Sequence, residues 1–393
     1  MHRYYGWGDI LVMPDDICAF AWSAPMRDLA AQVGLSDVGL KKLLASYGVV
    51  SPPKGYWNKV RAGKPVISRP KAPERRPGET GRVRLDSRFA KFLAPVAAMS
   101  SSGPFASRAV PEDLNELLAQ ELRAIGRATV PKSLDGAHKG VRQILAKEDR
   151  RHEKVANSHW HWDNPKFDNP VAKRRLRILN GIFLALAKRG HTGDVNERDD
   201  EIYASATIGD TRVSIDIGVH GKHRTVRLSG YLRPAPDLPA STPLAIQLSR
   251  GPESGNGEIW LDDGNGKLEQ KLPSIVASII VAGEAQFRRG LREAEERAEQ
   301  ARLAEEKRRE EQLVALNRVR VGSLFKSGEL LRQAQDIRAL VASVREAIVA
   351  GTTISENEVS AWEQWALAEA DKIDPIQSAQ FMSHFREPKL DSD

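Results

Sequence analysis

Apolar residues in the first fifty positions recur at helical steps interrupted once. Leu29, Val33, Leu35, Leu40 and Leu43 fall two to five residues apart and predict one shared face on two short helices flanking a turn. Ala30 is small where crossing helices would touch, and Gly34 is permissive where the chain must turn. Ser36 or Asp37 can cap the second helix, and Gly48 suits its C-terminal end. An earlier helix is expected over residues 15–22, with Pro25 in the first turn of the next. The pattern predicts a three-helix module of the helix-turn-helix kind within residues 1–64, with Lys41, Lys42 and Ser46 on the face away from the leucines.

The pattern then changes three times. Residues 65–85, PVISRPKAPERRPGETGRVRL, are too rich in Pro, Arg and Gly for a helix or a central strand. We read 65–110 as a basic linker holding a short helix over 89–99. Residues 111–267 predict an α+β domain: helices over 111–126, 134–156 and 171–189, then strands over 202–208, 211–217, 225–232, 244–249 and 258–262, making a small antiparallel sheet packed on helices. Residues 268–393 predict a long charged helix to about 320, bent at Pro273 and Gly290, with a short coiled-coil seam at Phe287, Leu291, Ala294, Ala298 and Ala301. An amphipathic helix over 330–350 would fold back on it. A last helix begins at a capping box, Ser355 with Glu358. The fold class is thus mainly α with an α+β central domain.

The module is followed by SPPKGYWNKVRAGK, in which Tyr56 and Trp57 are interleaved with Lys54, Lys59, Arg61 and Lys64. The aromatics can close the small core of the module while the basic tips reach phosphates. The run from Trp22 to Lys64 resembles a widespread group of uncharacterised bacterial helix-turn-helix proteins, many of them carried on genomic islands and plasmids. The resemblance rests on PMRDLA, GLSDVGLKKLL and PPKGYW with AGK, and on RLRILNGIFLALAKRGH and AWEQWALAEADKIDP further on. It implies DNA binding by a bacterial cytosolic protein and brings no catalytic residues with it.

Charge sharpens that expectation. Residues 54–91 carry twelve Lys and Arg against Glu74, Glu79 and Asp86, an excess of nine, so the rest of a chain with net charge +7 sums to −2. The basic excess follows the second helix directly, as a phosphate-tracking segment would; a solvated basic linker is the simpler alternative. No run of eighteen apolar residues predicts a membrane helix, and MHRYYGWGDILVMPDD lacks the pattern of a secretory signal. The lone cysteine, Cys18, reads as a core residue in a reducing cytosol.

Two constellations hint at chemistry. His152, His159 and His161 could in principle hold zinc or copper, but lack the spacing of a metal site. Asp262, Asp263, Glu269 and Lys271 superficially match the carboxylates and lysine of metal-dependent nucleases, yet EQKL leads into an apolar helical run rather than a strand. No phosphate-binding loop, nucleophile elbow or H-E-x-x-H motif is present. The reading is therefore a non-enzymatic protein of the cytoplasm and nucleoid, needing no cofactor and binding double-stranded DNA. Ser36, Asp37, Lys41, Lys42 and Ser46 would meet base edges. Lys54, Tyr56, Trp57, Lys59, Arg61 and Lys64 would fix the register. The C-terminal helices would form a homodimer.

Overall fold

The computed structural model describes residues 9–157, 165–198, 201–228, 231–249, 258–349 and 354–385. The chain forms two compact units, Met1–Glu295 and Glu296–Asp393.

The first unit opens with a strand, β1 (Ile10–Val12), and three helices, α1 (Pro14–Ala21), α2 (Met26–Gln32) and α3 (Asp37–Ser46). The turn after α2 closes through Leu35 N–H to Ala30 O at 2.9 Å and Gly34 N–H to Ala31 O at 3.3 Å. Gly34 sits there at φ 66°, a conformation that costs a side chain. Ser36 then caps α3, its hydroxyl accepting from Gly39 N–H at 3.0 Å. Leu29, Val33 and Leu40 are buried as expected, whereas the fully buried position on the last turn is Leu44, and Leu43 is only half-covered. A fourth helix, α4 (Tyr56–Arg61), follows the proline pair at 52–53.

The expected linker departs most from its sequence reading. Residues 83–85 form β2 (Val83–Leu85), antiparallel to β1, and a tight 3-10 turn over Ser87–Lys91 replaces the helix expected at 89–99. Leu85, Phe89 and Leu93 join Ile17, Leu29 and Leu40 in one small core. The segment before β2 is also fixed: Arg75, Pro77 and Gly78 are buried. Proline and glycine exclude regular structure there, but hydrogen bonding to distant partners holds the irregular backbone in place.

The larger core lies between helices and a five-stranded sheet. Helices α5 (Leu114–Ile125), α6 (Lys139–Asn157) and α7 (Pro170–Lys188) precede strands β3 (Thr192–Arg198), β4 (Glu201–Ile208) and β5 (Thr211–Val219). A separate hairpin, β6 (Thr225–Leu228) with β7 (Tyr231–Pro234), takes the place of the single strand expected over 225–232. Strands β8 (Leu244–Ser249) and β9 (Ile259–Leu261) complete the antiparallel order β3-β4-β5-β8-β9. Ile178, Leu179, Ile182 and Phe183 of α7 meet Ile208, Ile215 and Ile246 of the sheet, all buried. Strand β3 was not expected: TGDVNER offers one buried apolar side chain, Val195, so its alternation is faint.

A single helix, α8 (Leu272–Val349), runs for 78 residues. Pro273 lies in its first turn, where a missing N–H costs nothing, and the helix continues through Gly290. The stretch expected to fold back at 330–350 instead prolongs it. Within the first unit, Ile275, Val276, Ile279 and Ile280 enter the large core. Phe287 and Leu291 pack with Met99 and Phe105, so the first two positions of the expected coiled-coil seam are used inside the first unit.

In the second unit the element that returns along α8 is α9 (Glu356–Ile373), begun by the expected capping box of Ser355 and Glu358. Ala334 and Val341 are buried on one helix and Ala366 and Ala370 on the other. Arg338 pairs with Asp371 and Asp374 at 2.7 and 2.8 Å, and Arg345 pairs with Glu363 at 2.8 Å. No described helix is long and apolar enough to cross a membrane.

Candidate nucleic-acid interface

With Leu40 and Leu44 turned inward, α3 leaves Val38, Lys41, Lys42 and Ala45 exposed at i, i+3, i+4 and i+7. The face therefore combines two ammonium groups with two apolar patches. Val38 and Ala45 were missed in the sequence reading; their spacing from Lys41 and Lys42 could have found them. The end of α3 is closed by Gly48 N–H to Ala45 O and Val49 N–H to Leu44 O, both at 3.0 Å. Asp37 accepts from Val38 N–H at 2.8 Å, and the Ser46 hydroxyl donates to Leu43 O at 2.7 Å. Ser46 thus keeps only its lone pairs for an outside partner, while Ser36 keeps its proton.

α4 supplies the second part. Tyr56 stands edge-on to Trp22, with ring centres 5.1 Å apart, and Trp57 stands edge-on to Tyr56 at 5.2 Å. Trp22 is itself anchored by its indole N–H, which donates to Val50 O at 2.7 Å. The aromatic pair therefore covers the rim of the module core, leaving Lys54, Lys59, Arg61 and Lys64 exposed. Lys41, Lys54, Tyr56 and Trp57 line one cleft of about 370 Å³ together with Met26 and Asn58. Trp57 holds a buried indole N–H with no acceptor among the described residues. Lys42, Ser46, Lys59, Arg61 and Lys64 lie outside that cleft. Ser46 instead lines a larger cleft, about 1150 Å³, with Arg82, Arg84, Arg88, Glu79 and Asp210 among its walls. Burial pushes the Glu79 carboxyl up, helped by the nearby charge of Asp210, and burial alone raises Asp210.

The basic run from Lys54 to Lys91 is divided between folding and display. Arg75 bonds Glu284, Arg69 pairs with Asp15 at 3.2 Å, and Arg88 pairs with Asp86 at 2.9 Å. Lys54, Lys59, Arg61 and Lys64 form no ion pair among the described residues. The aromatic-basic stretch belongs wholly to the display set, which Lys71, Arg76 and Lys91, also exposed, extend further along the run.

The nuclease-like set has a structural employment. Arg174 donates to both oxygens of Glu269, at 2.7 and 2.8 Å, and reaches Asp262 at 2.8 Å. Asp262 also accepts from the Leu244 and Leu268 amides at 3.0 and 2.8 Å, and Lys271 bonds Asp263 at 2.7 Å. Despite the opposing effect of burial, bonds from Arg174 and the two amides hold the Asp262 carboxyl below its ordinary value; Arg174 does the same for Glu269. Among the described residues no group of three or more His, Cys, Asp and Glu is placed to hold a metal ion. His152 stands 3.7 Å from Asp168, while His159 and His161 lie outside the described residues.

Compared with known protein families, curated proteins and solved structures, the chain matches none.

Proposed function

We propose that this protein binds double-stranded DNA and reads its sequence with α3. In that reading Lys41 and Lys42 donate to guanine edges in the major groove, while Val38 and Ala45 meet thymine methyl groups. Ser36, Asp37 and Ser46 supply short polar contacts at the two ends of the helix. Lys54, Lys59, Arg61 and Lys64 hold phosphates and fix the register. The observation that carries the proposal is the convergence of Lys41 and Lys54 on one cleft walled by Tyr56 and Trp57. A base-reading side chain and a phosphate-binding one then act on neighbouring parts of the same duplex.

The simplest role is a dimeric bacterial transcriptional regulator. Val314, Val321 and Phe325, spaced by seven and four and 64 %, 42 % and 74 % exposed, offer an apolar face on α8 for a second copy. The same face supports a second reading, a DNA-anchoring adaptor that presents α8 to other proteins of a plasmid, mobile-element or defence assembly. Selection of bound sequences from a random duplex pool by the purified chain tests the DNA reading. Enrichment of a defined site is the expected result, and two half-sites at helical spacing would favour the dimer. A pool that stays random through successive rounds would remove sequence reading.

A further inference from the structure

We propose that the cleft between the start of α1 and the irregular segment before β2 binds a small organic anion, a phosphate or carboxylate carried on an apolar body. The cleft holds about 610 Å³, within the range of small-molecule sites. Its apolar walls come from Met13, Pro70, Pro73, Met99 and Pro104. Its charge comes from Lys71, Arg82 and Arg108, which also line it and make no ion pair among the described residues. Two further cations in the wall are already engaged, Arg69 by Asp15 and Arg75 by Glu284. Of the acidic lining residues, Asp15 is the partner of Arg69, so Glu74 alone opposes three unpaired cations.

A second observation concerns the same wall. Nε of Arg75 and Nε of Arg82 are both buried without an acceptor. An unmatched buried donor is costly, and two in one wall mark a place short of acceptor oxygens. For Arg82 the shortage extends to the whole guanidinium, which bonds nothing among the described residues. Phosphate and carboxylate oxygens are the acceptors to which a guanidinium fork donates best, and the proline and methionine walls suit an apolar remainder. This inference is independent of the DNA reading, because none of these residues belongs to the α3 face or to α4.

The test uses the full chain and four matched probes: phenyl phosphate, benzoate, inorganic phosphate and phenol. Titration calorimetry, with thermal unfolding as a second readout, should find binding by phenyl phosphate or benzoate at least tenfold tighter than by inorganic phosphate or phenol. The stronger of the two organic anions identifies the headgroup. Arg82→Gln should weaken that binding roughly tenfold or more, the value of a charged hydrogen bond. Lys71→Gln with Arg108→Gln, both exposed and outside regular structure, should weaken it without altering the unprobed melting temperature. The proposal is overturned if no probe binds at millimolar concentration, if inorganic phosphate equals phenyl phosphate, or if neither variant changes affinity. Displacement of phenyl phosphate by equimolar random-sequence duplex would also overturn it, by making the cleft part of a nucleic-acid surface.

Discussion

Arg75 and Glu284 stand 209 positions apart in the chain, and their side chains meet at 2.5 Å in the interior. Glu284 is fully buried and also accepts from Gly78 N–H at 2.8 Å and from Arg288 at 2.7 Å. Arg75 in turn donates to Phe105 O at 2.8 Å and lies over the Phe287 ring at 5.3 Å. One carboxylate on α8 thus holds down the segment that leads from α4 to β2. Glu284→Ala leaves two guanidinium groups and an amide without their acceptor and should cost about 3–5 kcal/mol. Urea unfolding measures this, and a loss below about 1 kcal/mol would show that the segment is held by something else.

Gly78 makes that docking sterically possible. It has φ 77°, and a Cβ added there would stand 2.1 Å from Ile208 O at the end of β4. Gly34 has a similar φ, 66°, with nothing within 4 Å of an added Cβ. The pair separates backbone strain from crowding. Gly34→Ala should cost about 1 kcal/mol, the price of a left-handed conformation, whereas Gly78→Ala should cost at least about 2 kcal/mol more. Equal losses in denaturant melts would mean that the 75–81 segment yields freely to the added methyl group.

These two contacts explain where the sequence was legible and where it was not. Leu29, Val33, Leu40, Ser36 and Gly34 announce the α2–α3 pair because caps, turns and apolar spacing are local. Arg75 and Glu284 have no local pattern; a Pro-rich basic run reads as linker until its acceptor, on a distant helix, is brought beside it. The same holds for Arg174, whose partners Asp262 and Glu269 resemble catalytic carboxylates only while their neighbour is unknown. At the candidate interface, the exposure of Lys41 and Lys42 followed from periodicity. The shared cleft of Lys41 and Lys54 did not, since it depends on how α4 returns to Trp22.

The Arg174 cluster makes stability depend on acid. Asp262 and Glu269 are both held below their ordinary values in the folded chain. Between the folded and the unfolded values the unfolded chain binds more protons, so stability rises with pH through that window. The contribution is fully present above the ordinary carboxylate range, roughly pH 4 to 5, and is lost as pH falls through the lower folded values. Arg174→Met removes the cation shared by the two carboxylates, leaving Asp262 only its two amide donors and the half-buried Glu269 unpaired with Arg174, which should cost about 3–5 kcal/mol at neutral pH. It should also flatten the acid limb of the stability profile. A variant whose stability still falls as steeply between pH 5 and 3 as the parent (about the range set by these groups) would place the acid sensitivity elsewhere.

The two halves of the proposed DNA surface should fail differently. Lys41→Ala with Lys42→Ala removes side chains assigned to base edges, so discrimination between the selected site and random duplex should shrink. Each lost bidentate contact corresponds to about 1–3 kcal/mol of preference. Neutralising Lys54, Lys59, Arg61 and Lys64 removes phosphate contacts instead. Binding should weaken about equally for all sequences, and the slope of log affinity against log salt should flatten by about 0.9 per lost contact. All six residues are exposed, so neither set should disturb folding. Filter binding or anisotropy across a salt series measures both effects on one pair of duplexes. If the first variant keeps its preference, α3 is not the reader; if the second keeps its slope, α4 and its flanks do not touch the backbone. The shared cleft adds a condition that separate surfaces would not. Because Lys41 and Lys54 face the same space, Lys41→Ala alone should lower the salt slope slightly as well as the preference, whereas Lys42→Ala, outside that cleft, should lower the preference alone.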